Sequence, residues 1–251
     1  MERINKFLAH AGLGSRRRVE ELVLQGRVKV DGDVVQDLST RVEADQKVTV
    51  DGKLINAEKP AYWLVHKPPG YLCTNHDPGG RPRAIDLIPE VVQRVYVVGR
   101  LDEDSEGMLL LTNDGDLANR LMHPRFGVEK TYHVQVAGSP TREDLQKLVK
   151  GIYLAEGHVK VRSAKKLNQQ GNSTWLEIVL NEGKNREIRR MLARFDHKVM
   201  RLIRRTIGPL DMGRLKIGQS RHLTIAEVNR LRRAVPVRAG GEDDGSEIPE
   251  E

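Results

Sequence analysis

Three carboxylates stand at alternate positions in VVGRLDEDSEGMLLLTNDG (97–115): Asp102, Asp104 and Glu106, followed by Gly107. Alternating acids ahead of a glycine imitate the opening of a calcium loop. Three features exclude that reading. The twelfth position is Asn113, where a bidentate Glu is needed; the flanks read as strands; and Leu109–Leu111 fall where ligands belong. The remaining possibilities are an acidic loop held between two apolar strands and an incidental surface turn. In the first, Asp102, two residues after Arg100, could act as a nucleophile or base.

Basic residues gather in two other places. In SRRRVEELVLQGRVKVDG (15–32), Arg16, Arg17 and Arg18 sit at a helix start, where guanidinium forks and backbone N–H groups suit phosphate oxygens. Arg27 and Lys29 enter the strand that follows. In NREIRRMLARF (185–195), Ile188, Met191, Leu192 and Phe195 form one helical face. Arg186, Arg189, Arg190 and Arg194 cannot all share that face, so some should meet an anion and one can turn inward. Arg201, Arg204 and Arg205 follow at strand-like spacing and extend a basic groove. The eight histidines are scattered without ligand spacing, so no metal site is expected.

The elements that must position these residues follow from periodicity. Ile4, Phe7, Leu8 and Ala11 predict a helix stopped by Gly12 and Gly14; Ser15 caps a second, closed by Gly26. Val28/Val30, Asp31-Gly32 and Val34/Val35 then predict a hairpin, repeated at Val48/Val50, Asp51-Gly52 and Leu54/Ile55. NAEKP (56–60) reads as a linker. Beyond it AYWLVHK, VYVVG, MLLLT, KTYHVQV and TWLEIVL predict strands, and helices are expected at 115–122, 141–150, 186–195 and 224–234. Strands mixed irregularly with helices indicate an α+β fold. The expected division is a small α/β domain over 1–57, a mainly antiparallel sheet domain over 58–235, and an acidic, disordered tail over 236–251.

Composition narrows the partners. The chain of 251 residues carries 42 Lys+Arg and 35 Asp+Glu, a net charge of +7. The tail holds one Arg and six acids, so the rest of the chain carries 41 bases, 29 acids and a charge of +12. A basic body points to a polyanion, most often nucleic acid. The hydrophobic fraction of 38%, recounted with 23 Gly and without 5 Tyr, is about 45% and can bury a core. No apolar run reaches the ~18–20 residues of a membrane span, and the first residues lack a cleavable leader, so neither membrane insertion nor secretion is expected. Cys73, the lone cysteine, excludes disulfides and fits a reducing cytoplasm.

GRLDEDSEGMLLLTNDG resembles the central motif of the pseudouridine synthases in their RsuA/RluB branch. Three further segments match in order: HKPPGYLCTNHDPGGRPRAIDLIP (66–89), DLANRLMHPRFGVEKTYHVQV (116–136) and LNEGKNREIRRML (180–192). The helix, Ser-Arg-Arg, helix and hairpin of residues 2–52 resemble the S-four-like RNA-binding module. Together the resemblance spans residue 2 to about 234, and the segment around Leu72-Cys73-Thr74 is similar to the RluB subgroup. Ser105, Met108 and His66 depart from the commoner residues, and none is a catalytic group.

This resemblance implies site-specific isomerisation of uridine to pseudouridine in ribosomal RNA, most often of the large subunit, by a cytoplasmic monomer without cofactor or metal. It implies that Asp102 attacks the anomeric carbon or removes the neighbouring sugar proton, that Arg189 pairs with Asp102, and that Tyr132 stacks on uracil and assists proton movement. Arg100, Leu101 and Ile188 would line the pocket. Arg16, Arg17, Arg18, Arg27, Lys29, Lys67, Arg81, Lys184, Arg186, Arg190, Arg201 and Arg204 would contact RNA. Flipping a base from folded RNA costs a few kcal/mol, which phosphate contacts would offset. A binding-only assembly factor on this fold would be expected to have lost Asp102, Tyr132 or Arg189. A small-subunit target is the other alternative. A metal-dependent hydrolase would need a second carboxylate cluster, which the sequence lacks.

Overall fold

In the computed structural model, which describes residues 1–43, 45–89 and 93–235, the chain divides into two units. The acidic tail expected from residue 236 lies outside the described residues. The first unit is built on Met1–Ala61, joined by Asn113–Gly115. Helix α1 (Ile4–His10) buries Ile4 and Leu8, and α2 (Arg16–Leu24) buries Val19 and Val23. Ser15 caps α2 by accepting the Arg18 N–H at 3.3 Å. Strands β1 (Val28–Val30) and β2 (Asp33–Val35) meet through Asp31-Gly32, with φ of 51° and 100°. Asp51-Gly52 makes the same kind of turn between β3 (Val48–Val50) and β4 (Lys53–Leu54). The sheet order is β2-β1-β3-β4, and alternate valines face the helices' apolar stripe in one cluster.

The linker residues have no regular secondary structure but are bound. Asn113, which failed as a calcium ligand, accepts the Ala61 N–H at 2.8 Å and donates to the Lys59 carbonyl at 3.1 Å.

The second unit holds a nine-stranded sheet. Its strands are β5 (Tyr62–Lys67), β6 (Tyr96–Val98), β7 (Glu106–Thr112), β8 (Lys130–Ala137), β9 (Ser163–Gln170), β10 (Ser173–Leu180), β11 (Val199–Ile207), β12 (Leu210–Asp211) and β13 (Ser220–His222). The main order is β9-β10-β8-β11-β7-β5-β13, with β6 beside β7 and β12 beside β11. Among the described residues of this sheet only β11 and β7 run parallel, pairing Arg204 with Gly107. Helices α3 (Gly115–Met122) and α6 (Ile225–Ala234) contribute to one core cluster. Helices α4 (Arg142–Lys150) and α5 (Glu187–Ala193) contribute to another, with Val134, Leu176 and Leu202 of the sheet. Thr141 with Asp144, and Thr224 with Glu227, form the expected capping boxes at α4 and α6.

The fold is α+β with a mostly antiparallel sheet, as expected. Strand β9 was not anticipated: SAKKLNQQ is polar along nearly its whole length, which an edge strand tolerates because one side and one face meet water. A small hairpin of Ile152–Leu154 and Gly157–Val159 was also missed.

Candidate active site

The loop from Leu101 to Ser105 connects β6 to β7 and is tied down from several sides. Its turn closes when the Ser105 N–H donates to the Asp102 carbonyl at 3.0 Å. Gly70 donates its N–H to the Glu103 carbonyl at 2.8 Å. Lys67, fully buried at the end of β5, gives its Nζ to the carbonyls of Pro68, Glu103 and Ser105 at 3.0, 3.2 and 2.7 Å. A buried ammonium is costly unless its donors are satisfied, and these three carbonyls satisfy them. Burial still pushes the Lys67 pKa down, against Cys73 and the acids of the loop.

This overturns one expectation. Lys67 does not present its ammonium on an outer, RNA-facing surface; it faces inward as a fastener of the acidic loop. Arg204 is corrected for the same reason. It is 2% exposed, with Nε donating to the Met108 carbonyl at 2.8 Å and Nη1 to the Arg100 carbonyl at 3.4 Å. Gly107 permits that fit. Its φ is +114°, and a Cβ there would lie 2.4 Å from the Arg204 carbonyl oxygen. The glycine ending the acidic run is therefore a packing requirement of the parallel β7/β11 pair.

Helix α5 supplies the opposite charges. Arg186 precedes it in the left-handed region, φ 48°. Arg186 forks onto Asp104, Nη1 to Oδ1 at 3.2 Å and Nη2 to Oδ2 at 3.1 Å, and its Nη1 lies 3.7 Å from Asp102 Oδ2. Arg189 points inward, 12% exposed. Its Nη1 donates to the Val199 carbonyl at 3.3 Å, and its Nη2 to Ser105 Oγ at 3.2 Å and the Asp104 carbonyl at 3.4 Å. Arg189 Nη2 also stands 3.2 Å from Asp104 Oδ1. Among the described residues its Nε is buried without a hydrogen-bond partner, 3.9 Å from Asp102 Oδ2. Burial would raise the Asp104 pKa, but the Arg186 hydrogen bonds and both guanidinium charges hold it below the usual carboxylate range.

The expected Asp102–Arg189 pair is thus within ion-pair reach, while the hydrogen bonds go to the neighbouring residues. Asp104 and Ser105 are the members that sequence reasoning missed. Their signal was present, since Asp104 belongs to the same alternating acidic run as Asp102.

Leu101, Tyr132 and Ile188 come together in one core cluster. Tyr132, on β8, is 7% exposed, on the buried face with Val134 and Val136. Cys73 packs against this cluster and accepts the Leu101 N–H at 3.3 Å; burial pushes its thiol pKa up. An open groove of about 450 Å³ runs beside Asp104, Arg186 and Arg189, lined also by Lys198, Asp196 and Val199. Asp102 and Tyr132 are not in its lining.

The remaining basic residues divide by environment. Arg100 is exposed and Lys184 half-buried. Arg190 is paired with Glu156, Arg81 with Asp77, and Arg201 with Glu106 at 2.8 Å, so each already has an intramolecular carboxylate. In the first unit Arg16, Arg17, Arg18 and Lys29 are exposed, and Arg27 is paired with Asp51. Among the described residues no group of His, Cys, Asp and Glu could hold a metal ion, and no helix is long and apolar enough to cross a membrane.

Comparison with known proteins places this geometry in context. Residues 61–194 match the family described as RNA pseudouridylate synthase, and residues 2–48 match the S4 domain. The chain is 42% identical over 234 residues to the ribosomal large subunit pseudouridine synthase B of Bacillus subtilis, covering 92% of this chain and 96% of that protein. It is 41% identical to the protein of the same name from Escherichia coli K12, covering 93% and 83%. A crystal structure of pseudouridylate synthase superimposes with a TM-score of 0.65 at 27% identity, covering 92% of this chain and all of that one.

Proposed function

The chain belongs to the RNA pseudouridylate synthase family, and on that premise we propose that it converts a specific uridine of large-subunit ribosomal RNA to pseudouridine in the cytoplasm. The observation that carries the catalytic assignment is the acidic loop itself: its backbone is fastened at Glu103 and Ser105 by the buried Lys67, and Asp102 is faced by the unpartnered Nε of Arg189. The large-subunit substrate is supported by the names of the relatives from Bacillus subtilis and Escherichia coli.

The reaction breaks the C1′–N1 bond, turns the uracil and joins its C5 to C1′. Asp102 either bonds to C1′ as N1 departs or takes the C2′ proton and later returns it. In both routes the electron pair of the broken bond stays on the base. After rejoining, the C5 proton is lost and N1 gains one, so the product is an isomer and no oxidant or hydrolytic water is consumed. Arg189 and Arg186 place positive charge beside the Asp102 carboxylate, at 3.9 and 3.7 Å, in a partly dry site where an unpaired carboxylate would be costly. Tyr132 offers its ring to the base and its hydroxyl for the proton transfer at C5. Ile188 and Leu101 exclude water from the other side.

The first unit supports docking: Arg16, Arg17 and Arg18 stand exposed at the start of α2, where N–H groups and guanidiniums together suit RNA phosphates. Mapping pseudouridines in ribosomal RNA from cells with and without the gene tests the whole reading. Loss of a large-subunit pseudouridine is expected. An unchanged large-subunit map overturns the substrate, and loss of a small-subunit site would replace it.

A further inference from the structure

Lys130 opens β8 two residues before Tyr132, so both side chains stand on the same face of the sheet. Ile178 and Leu180 of β10 pair with them and continue that buried face. On the other side, Arg204 of β11 is the register partner of Tyr132. The backbone register therefore sets two cations next to Tyr132 in the sheet, with a register shift in β11 between the Lys130 and Tyr132 positions.

Neither cation is neutralised within the protein. Among the described residues, no carboxylate forms an ion pair with Lys130 or Arg204. Lys130 Nζ reaches only the Val128 carbonyl, at a long 3.4 Å. Arg204 places Nε and Nη1 on carbonyls, and its Nη2 is buried with no hydrogen-bond partner. Burial, and secondly the Arg204 charge, push the Lys130 pKa down to about 8. Like charges on a buried surface are unfavourable unless an anion joins them.

The reaction generates such an anion. As the C1′–N1 bond breaks, the pair left on N1 delocalises over the ring, onto O2, C5 and O4. We propose that Lys130 and Arg204 form a cationic floor beneath Tyr132 that holds a negatively charged carbonyl oxygen of the detached uracil. Donors fixed where charge develops stabilise the transition state without reorganising. The ammonium and the free Nη2 each donate a hydrogen bond, and neither changes protonation over the cycle. This inference rests on the uridine-isomerase reading above. An RNA phosphate is the other anion of suitable chemistry, and the experiment separates the two.

The test is single-turnover pseudouridine formation by the full-length enzyme at saturating concentration, with RNA affinity measured in parallel. Lys130→Met should lower the saturating rate about 100-fold while RNA Kd stays within about twofold; Lys130→Arg should recover most of the rate. Measured below saturation, where the profile reports the free enzyme, the wild-type rate should fall above about pH 8, and Lys130→Arg should lose that fall. Arg204 is the charged group acting on Lys130; Tyr132 is the titratable neighbour on its own strand, and β10 offers only Leu180 and Ile178. Weakened RNA binding with a flatter salt dependence and an unchanged saturating rate would overturn the proposal in favour of a phosphate contact. If Lys130→Met does not fold, a wild-type-like pH profile in Lys130→Arg overturns it equally. Failure of the underlying reading would look different: the wild type itself would form no pseudouridine.

Discussion

Arg189 Nε lies 3.9 Å from Asp102 Oδ2, buried and without a hydrogen bond, while the rest of the guanidinium is committed to Asp104, Ser105 and Val199. One side chain thus fixes the acidic loop through Nη1 and Nη2 and keeps one donor directed at the residue proposed to do chemistry.

That division of labour depends on a planar fork, which lysine lacks. Arg189→Lys should lower the single-turnover rate by about 100-fold with RNA affinity unchanged. Rate and Kd measured on the same RNA check this, and a wild-type rate would show that Nε is dispensable.

Gly107→Ala places a Cβ 2.4 Å from the Arg204 carbonyl oxygen at a φ of +114°. Backbone, not a mobile side chain, is in the way. The substitution should cost about 3 kcal/mol or more and separate β7 from β11. Chemical denaturation reads the loss, and an unchanged midpoint would count against the close strand approach.

How much of this was legible in the sequence differs from residue to residue. The helices at 115–122 and 224–234 and the two Asp-Gly hairpins were readable because apolar period, caps and turn residues agree locally. Asp102, Tyr132 and Arg189 stood out through resemblance, and the fold brings Arg189 to the Asp102 loop and Tyr132 into a cluster with Leu101 and Ile188. Lys67 and Arg204 were misread because a charged residue is outside by default; only the tertiary structure shows the carbonyls that satisfy them inside. Asp104 was overlooked as a partner because adjacent carboxylates cannot be ranked without knowing which one the helix α5 arginines reach. Strand β9 lacked alternation since almost all of it faces solvent.

Acid stability offers a check on the sheet's far end. Glu227 joins the Thr224 capping box to Arg221, and these bonds hold its pKa down to about 2 against the burial that would raise it. A depressed carboxylate stabilises the fold fully above its ordinary value of 4.5 and loses that contribution as pH falls toward 2. Glu227→Gln should therefore be destabilised by up to about 3 kcal/mol at pH 7, with the difference from wild type shrinking between pH 4.5 and 2. Thermal melts across that range measure it; a constant difference would refute the linkage.

Replacing Arg16, Arg17 and Arg18 together by Ala should weaken RNA binding and reduce the salt slope by roughly 0.7–0.9 per lost phosphate contact. The rate at saturating RNA should not change, since the acidic loop is untouched. An unaltered slope would remove these residues from the RNA interface.

The central claim is that Asp102 breaks the base–sugar bond. The direct measurement is pseudouridine formed by Asp102→Asn in a single turnover on ribosomal RNA that the wild type modifies. The account predicts no product above background, with RNA Kd within about twofold of wild type. Product formation at the wild-type rate would contradict it.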